Sequence, residues 1–294
     1  MTKDLFGFHI SVANGLENGL KYALLNNCKT VQIFAGNNRS ASLKDKTKYS
    51  LEQRDILKSF IKKNKLALFI HSIYVLNLCS VPASSSKAKY IHTNILHDLQ
   101  LAYDIGAYGV IIHLGSAVGN TPETAIKNLI SNLVHIASNM PKTKLILESS
   151  SGQGQQVGTT LQQFADIYNA IPTHLKSNFG ICLDTAHICA SGAHINTLDG
   201  IKDYFSLFDK LIGIEKLLAI HLNDNPYPVG SRRDVHEIIG RGVLFKKKEN
   251  LIALEWLLRK TIKNKIPVIL ETAGAGKEGS TYPTQIEYLR KLIL

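Results

Sequence analysis

Eleven histidines are spread along the 294-residue chain, and their surroundings divide them into two kinds. His92, His97, His135, His174 and His194 fall in segments that read as helices or peripheral loops. His9, His71, His113, His187 and His221 lie in, or at the end of, short apolar runs, and His236 lies in the loop after the seventh run. Carboxylates accompany them: Glu148, Asp184 and Glu271 in runs five, six and eight, and Asp234 beside His236. Taken singly, each has a plain structural explanation, since a strand histidine is commonly a hydrogen-bonded core or rim residue. An unpaired buried carboxylate, by contrast, is costly. Taken together, so many groups at one level could not all satisfy one another. Imidazole with carboxylate suits zinc or manganese, and the number of groups points to more than one ion. His236-Glu237 does not begin an HExxH helix, because position 240 is glycine. Clustered divalent ions deprotonate water near neutral pH and clamp the oxygens of a phosphodiester. Nuclease or phosphatase chemistry is therefore the first expectation.

Such groups need a scaffold that delivers them to one place. Eight runs recur: GFHISV (7–12), TVQIFAG (30–36), LFIHSI (68–73), VIIHLG (110–115), KLILES (144–149), GICLDTAH (180–187), LLAIHLND (217–224) and PVILET (267–272). They are nearly continuously apolar, as parallel strands buried on both faces are. Between them, Leu51–Asn64, Ala88–Ile105, Glu123–Ser138 and Leu251–Lys263 carry apolar residues at helical spacing. Thr121-Pro122 offers an N-cap followed by proline at the first helical position, and Gly106 and Gly109 close one helix and open the next strand. Eight such units predict a single (β/α)8 TIM barrel over residues 1–294, with its site at the C-terminal ends of the strands. An open doubly wound sheet is the runner-up, but no GxGxxG follows the first strand. GAGKEGS (274–280) fails the phosphate-loop pattern because Glu278 follows Lys277.

Composition narrows the partner. The net charge of +11 favours a polyanion, although only seven of the 34 basic residues are Arg and lysine drift would give the same excess. Cys28, Cys79, Cys182 and Cys189 form no C-x-x-C pair, so neither a thiolate zinc site nor a disulfide framework is expected. The first residues carry no apolar leader, and no apolar run approaches the ~18 residues of a membrane span. An intracellular location, cytoplasm or nucleus, is the expectation.

At this point the residues resemble the endonuclease IV family of zinc-dependent abasic-site endonucleases. The resemblance runs from about His9 to Glu271 and rests on GFHISVANGL (7–16), IHSIYVLNL (70–78), VIIHLGS (110–116), LESSSGQG (147–154), GICLDTAH (180–187), AIHLND (219–224), GSRRDVH (230–236) and VILET (268–272). It implies three zinc ions: one on His71, His113 and Glu148, a second on Glu148, Asp184, His221 and Glu271, a third on His187, Asp234 and His236. Glu148 would bridge two ions and help hold the nucleophilic hydroxide, with Glu271 beside it, and His9 and Asp224 would support the ligands from behind. The implied activity is base-excision repair of double-stranded DNA. The cut falls 5′ to an abasic site and leaves a 3′-hydroxyl and a 5′-deoxyribose phosphate; 3′-phosphodiesterase or exonuclease activity is a possible companion. Arg39 and Tyr74 match side chains inserted into the DNA stack, Asn37 and Asn38 would contact DNA nearby, and Gly230, Ser231 and Arg232 would form a phosphate-contacting loop. The family acts as a monomer.

The chain departs from the family pattern at several places. Val235 stands where arginine is usual, Gly240-Arg241-Gly242 replaces an acidic GEG, NPYPVG (225–230) carries two prolines, and ESSSGQG replaces ENTAGQG. Arg241 is open to either reading, a phosphate contact or a solvated charge. Two alternatives stand beside the nuclease. A xylose-isomerase-like sugar isomerase or epimerase would need one or two magnesium or manganese ions. A non-catalytic DNA-binding module would saturate its zinc with four protein ligands.

Overall fold

The eight runs form parallel strands that hydrogen-bond in chain order and close on themselves as a barrel. The computed structural model describes residues 5–36, 42–43, 49–272 and 281–293. The strands are β1 (Phe6–His9), β2 (Thr30–Phe34), β3 (Ala67–His71), β4 (Gly109–Ile112), β5 (Leu145–Glu148), β6 (Phe179–Asp184), β7 (Leu217–His221) and β8 (Val268–Leu270). Closure comes from β1, which pairs with β2 on one side and β8 on the other. The predicted barrel is therefore the observed fold, and the open sheet is excluded.

Helices wrap the outside: α1 (Leu16–Leu25), α2 (Leu51–Asn64), α3 (Lys89–Ile105), α4 (Pro122–Asn139), α5 (Leu161–Asn169), α6 (Thr185–Ala190), α7 (Leu198–Leu211), α8 (Leu251–Asn264) and α9 (Tyr282–Leu292), among the described residues. Their ends follow local chemistry. The Thr121 side chain caps α4 by accepting from the Thr124 N–H, with Pro122 inside the first turn. Gly106 ends α3 in the left-handed region, at φ 73°, where a side chain would be strained. No helix is long and apolar enough to cross a membrane, among the described residues.

The core has two shells. Leu20, Ile95, Leu99, Leu129, Phe205 and Leu257 belong to the larger one, between strands and helices. Inside the barrel, Phe69, Ile111, Ile146, Cys182, Ala219 and Ile269 form a separate, fully buried apolar layer. Strand side chains alternate, so the residue two positions on points the same way. Two positions after these six stand His71, His113, Glu148, Asp184, His221 and Glu271. The barrel thus stacks a layer of ligand-type residues on a layer of hydrocarbon.

The strands are shorter than expected at their C-terminal ends. The clearest case is GICLDTAH, predicted as strand to residue 187; β6 stops at Asp184 and α6 begins at Thr185. The cause is Asp184 itself, whose carboxylate accepts from the His187 N–H at 3.0 Å and caps a new helix. His187 is a helix residue, not a strand end. The segment 274–280 lies outside the described residues.

Candidate metal centre

Three sets of ligand atoms come within 4.8 Å of one another: His71, His113 and Glu148; Glu148, Asp184, His221 and Glu271; and Asp184, His187 and His236. Glu148 belongs to the first two sets and Asp184 to the last two. The first two match the expected groupings. The third holds Asp184 where Asp234 was expected, but Asp234 is adjacent, its Oδ1 lying 3.0 Å from His187 Nε2 and 3.5 Å from His236 Nε2. All nine expected residues therefore meet. Seven of them line one cavity of about 450 Å³, which Tyr74 and Val235 complete.

Glu148 is the hub. One oxygen lies 3.2 Å from His71 Nε2 and 3.5 Å from His113 Nε2, and the other lies 2.8 Å from His221 Nδ1. Burial opposes ionisation of Glu148, yet His113 and His221 outweigh it and hold the carboxyl well below the usual range. Burial likewise disfavours charge on His187, but Asp184 and Asp234 outweigh it and raise its pKa well above the ordinary value. For Asp234 burial again opposes the charged form, and His187 overrides it, lowering the pKa. His113 has no such override, and burial lowers its pKa. These shifts describe buried carboxylates and imidazoles that hold one another in their charged forms.

Hydrogen bonds fix which ring nitrogen faces inward. The His71 Nδ1–H donates to the Ser72 carbonyl and the His187 Nδ1–H to the Ser149 carbonyl, each at 2.7 Å. Both rings thereby turn Nε2 toward the cavity, where it is the nitrogen available to an ion. His236 Nε2 is buried and makes no hydrogen bond, although Asp184 Oδ2 and Asp234 Oδ1 each lie 3.5 Å away. An unsatisfied buried nitrogen beside two carboxylates is a ligand geometry. The nitrogen and oxygen donor set fits zinc, and no thiolate takes part.

Asp234 and His236 lie outside the sheet, in the long connection after β7, and other residues hold that connection. The Asp234 N–H donates to Gln153 Oε1 at 2.7 Å. Asp224 faces the turn after His236 rather than the ligands: its carboxylate accepts from the backbone N–H groups of Gly240, Leu244 and Phe245 at 3.0, 2.9 and 3.3 Å. Asp224 thus bears on the ligands through the loop that carries Asp234 and His236. Gly242 lies so close to this carboxylate that a Cβ would stand 2.4 Å from Asp224 Oδ1 and 2.4 Å from the Asn225 carbonyl oxygen. The glycine at 242 is a steric requirement of the turn.

His9 does sit behind the ligands, reached through Gln32, whose Nε2 lies 3.0 Å from His9 Nδ1. Burial pushes the His9 pKa down to about 4, so its Nδ1 accepts that N–H. Two residues with central hydrogen-bonding roles were not among the expected site residues. Gln32 touches His9, His221 and Glu271. The Asn223 side-chain amide donates to Asp184 at 2.8 Å, and its oxygen accepts from the Glu271 N–H at 3.0 Å. A lone amide inside an apolar strand run was the available signal for Gln32.

The expected DNA contacts are unevenly placed. Tyr74 stands at the mouth, half exposed, with its ring 5.4 Å from that of His71 and 5.5 Å from that of His113. Arg232 is exposed and lines a second cavity of about 410 Å³ with Gly152, Gln155, Thr159 and Gln163. Ser231 Oγ is buried without a hydrogen-bond partner. Asn37, Asn38 and Arg39 lie outside the described residues.

The closed parallel barrel is of the xylose isomerase-like TIM barrel class, and the model of that family matches residues 20–292. Within the class, the chain is 33% identical over 280 residues to the probable endonuclease 4 of Akkermansia muciniphila, covering 92% of this chain and 95% of that protein. It is also 33% identical to the probable endonuclease 4 of Clostridium botulinum, covering 97% of each. The crystal structure of endonuclease IV from Thermus thermophilus shares the fold, with a TM-score of 0.79, 23% identity and 98% of each chain covered. The chain belongs to the endonuclease IV family.

Proposed function

We propose that this chain is a zinc-dependent repair endonuclease that hydrolyses the phosphodiester 5′ to an abasic site in double-stranded DNA, leaving a 3′-hydroxyl and a 5′-deoxyribose phosphate. The observation that carries the proposal is the three overlapping ligand sets in one cavity, joined by the shared carboxylates of Glu148 and Asp184. The family relationship supports DNA as the substrate, and the net charge of +11 agrees with a polyanionic partner.

The first set would hold one zinc, the second another, and the third, with Asp234, a last. Bound there, the ions supply Lewis acidity and an activated water for in-line displacement. The chain's own residues do the positioning. Glu148 and Glu271 face the same space from β5 and the end of β8. The half-exposed ring of Tyr74 offers a flat surface to a base or sugar at the mouth, where a missing base makes unstacking least costly. Arg232, with Ser231, Asn37, Asn38 and Arg39, would contact the strands outside the cavity. The enzyme would work as a monomer within the cell, with 3′-phosphodiesterase or exonuclease activity as a possible extension of the same chemistry.

Three ligand sets favour this reading over a sugar isomerase, which needs fewer. The test is a duplex carrying one abasic analogue, incubated with the zinc-loaded chain, with the product ends mapped and the metal counted. A single nick 5′ to the lesion, abolished by a chelator, is the expected result. No metal-dependent cutting at neutral pH, or one or two magnesium or manganese ions per chain, would overturn the proposal.

A further inference from the structure

We infer that Gln32 is the positioning residue that keeps His221 in the metal-binding tautomer and ties it to Glu271; the inference rests on the proposed metal reading of the second ligand set. Gln32 sits in the middle of β2, fully buried, inside the barrel. Its amide is committed on every side. Oε1 lies 2.8 Å from His221 Nε2, while Nε2 donates to Glu271 Oε1 and stands 3.0 Å from His9 Nδ1. The orientation of the amide is not arbitrary. A carboxylate can only accept, so the amide nitrogen must face Glu271 and the amide oxygen must face His221.

The consequence falls on His221. An oxygen at 2.8 Å fixes a proton on Nε2, so Nδ1 is the nitrogen that can give up its proton and offer a lone pair to an ion. Nδ1 is the nitrogen that faces the ligand set, at 2.8 Å from Glu148 Oε1 and 3.1 Å from Glu271 Oε2. His71 and His187 achieve the same end by donating to backbone carbonyls, which cannot be removed by changing a side chain. Among these three rings, His221 depends on a side chain, from a strand 189 residues away in sequence. Without that acceptor, a fully buried imidazole would leave an Nε2–H unpaired. Moving the proton to Nδ1 relieves this, because Glu148 and Glu271 accept there. That proton then occupies the ligand position. Gln32 opposes this exchange, and its second contact fixes one oxygen of Glu271 so that the other stays toward His221.

Gln32→Met preserves volume and removes all three contacts, to His221, Glu271 and His9; Gln32→Asn keeps an amide but falls one methylene short. Two measurements apply to the full chain: zinc binding in competition with a chromophoric chelator, and the exchange-protected imidazole N–H of His221 by ¹⁵N–¹H NMR. Both variants should unfold near the wild-type temperature and bind one zinc roughly 10–100-fold more weakly. Both should also lose the protected Nε2–H signal. If Gln32→Met does not fold, Gln32→Asn carries the test. Variants that retain wild-type zinc affinity and the protected N–H would overturn the inference. A wild-type chain that binds no zinc but shows that N–H would instead overturn the metal reading and leave the role of Gln32 in the tautomer standing.

Discussion

The floor of the cavity and its rim hold their ligands by different means. On the floor, Glu148, Asp184 and His221 are at most 1% exposed and lie at strand ends. Each is bonded to residues on other strands or just beyond them: Glu148 to His71, Asp184 to Asn223, His221 to Gln32. At the rim, Asp234 and His236 are 24% and 20% exposed and hang from a connection secured by Gln153, Asp224 and the turn at Gly242. A charge taken wholly out of water needs partners from several directions, so the sheet itself sets floor geometry. A half-wet charge needs fewer, so a few loop bonds suffice. Two departures from the family pattern, Val235 and Arg241 between the glycines of its turn, fall in the rim connection.

Substitutions can break this contrast. The largest effect is expected from Glu148→Gln, which removes the shared carboxylate of two ligand sets. Cutting of an abasic duplex should fall by roughly 10²–10³-fold or more, and metal analysis should show two ions lost. Asp234→Asn should weaken one ion by roughly 10–100-fold and leave the other two, read by stepwise chelation. If all three ions weaken together, floor and rim are one unit and the contrast fails. Asp224→Asn leaves one oxygen to serve N–H groups now shared by two. Denaturant unfolding should show a loss of about 1–3 kcal/mol, with the rim ion alone released more easily. Tyr74→Ala should weaken binding to abasic duplex by about 1–3 kcal/mol in a fluorescence titration while zinc content stays constant. Equal loss of metal and DNA binding would place Tyr74 in the support of the ligands instead.

Much of this architecture was legible in the residues. The apolar runs announce parallel strands because burial on both faces leaves no polar positions to interrupt them. The ligand residues stood out for the opposite reason, as charged or imidazole groups at the ends of those runs. The end of β6 was not legible, because no glycine or proline separates LDTAH from the run before it and only the bond from His187 N–H to Asp184 shows the helix beginning. The role of Asp224 was hidden similarly: its partners are backbone N–H groups 16 to 21 residues on, which no side-chain pattern records. Gln32 and Asn223 act through partners on distant strands, and barrel closure alone brings them together.

The hydrocarbon layer of Phe69, Ile111, Ile146, Cys182, Ala219 and Ile269 has a consequence for traffic. It fills the barrel axis beneath the ligands, so among the described residues the cavity opens at the mouth, beside Tyr74 and Val235. On the proposed function, water, the DNA strand and the departing product would share that opening. The attacking water would then already be inside when the strand covers the mouth, and a second turnover would wait until the nicked strand has lifted far enough to let the next water through.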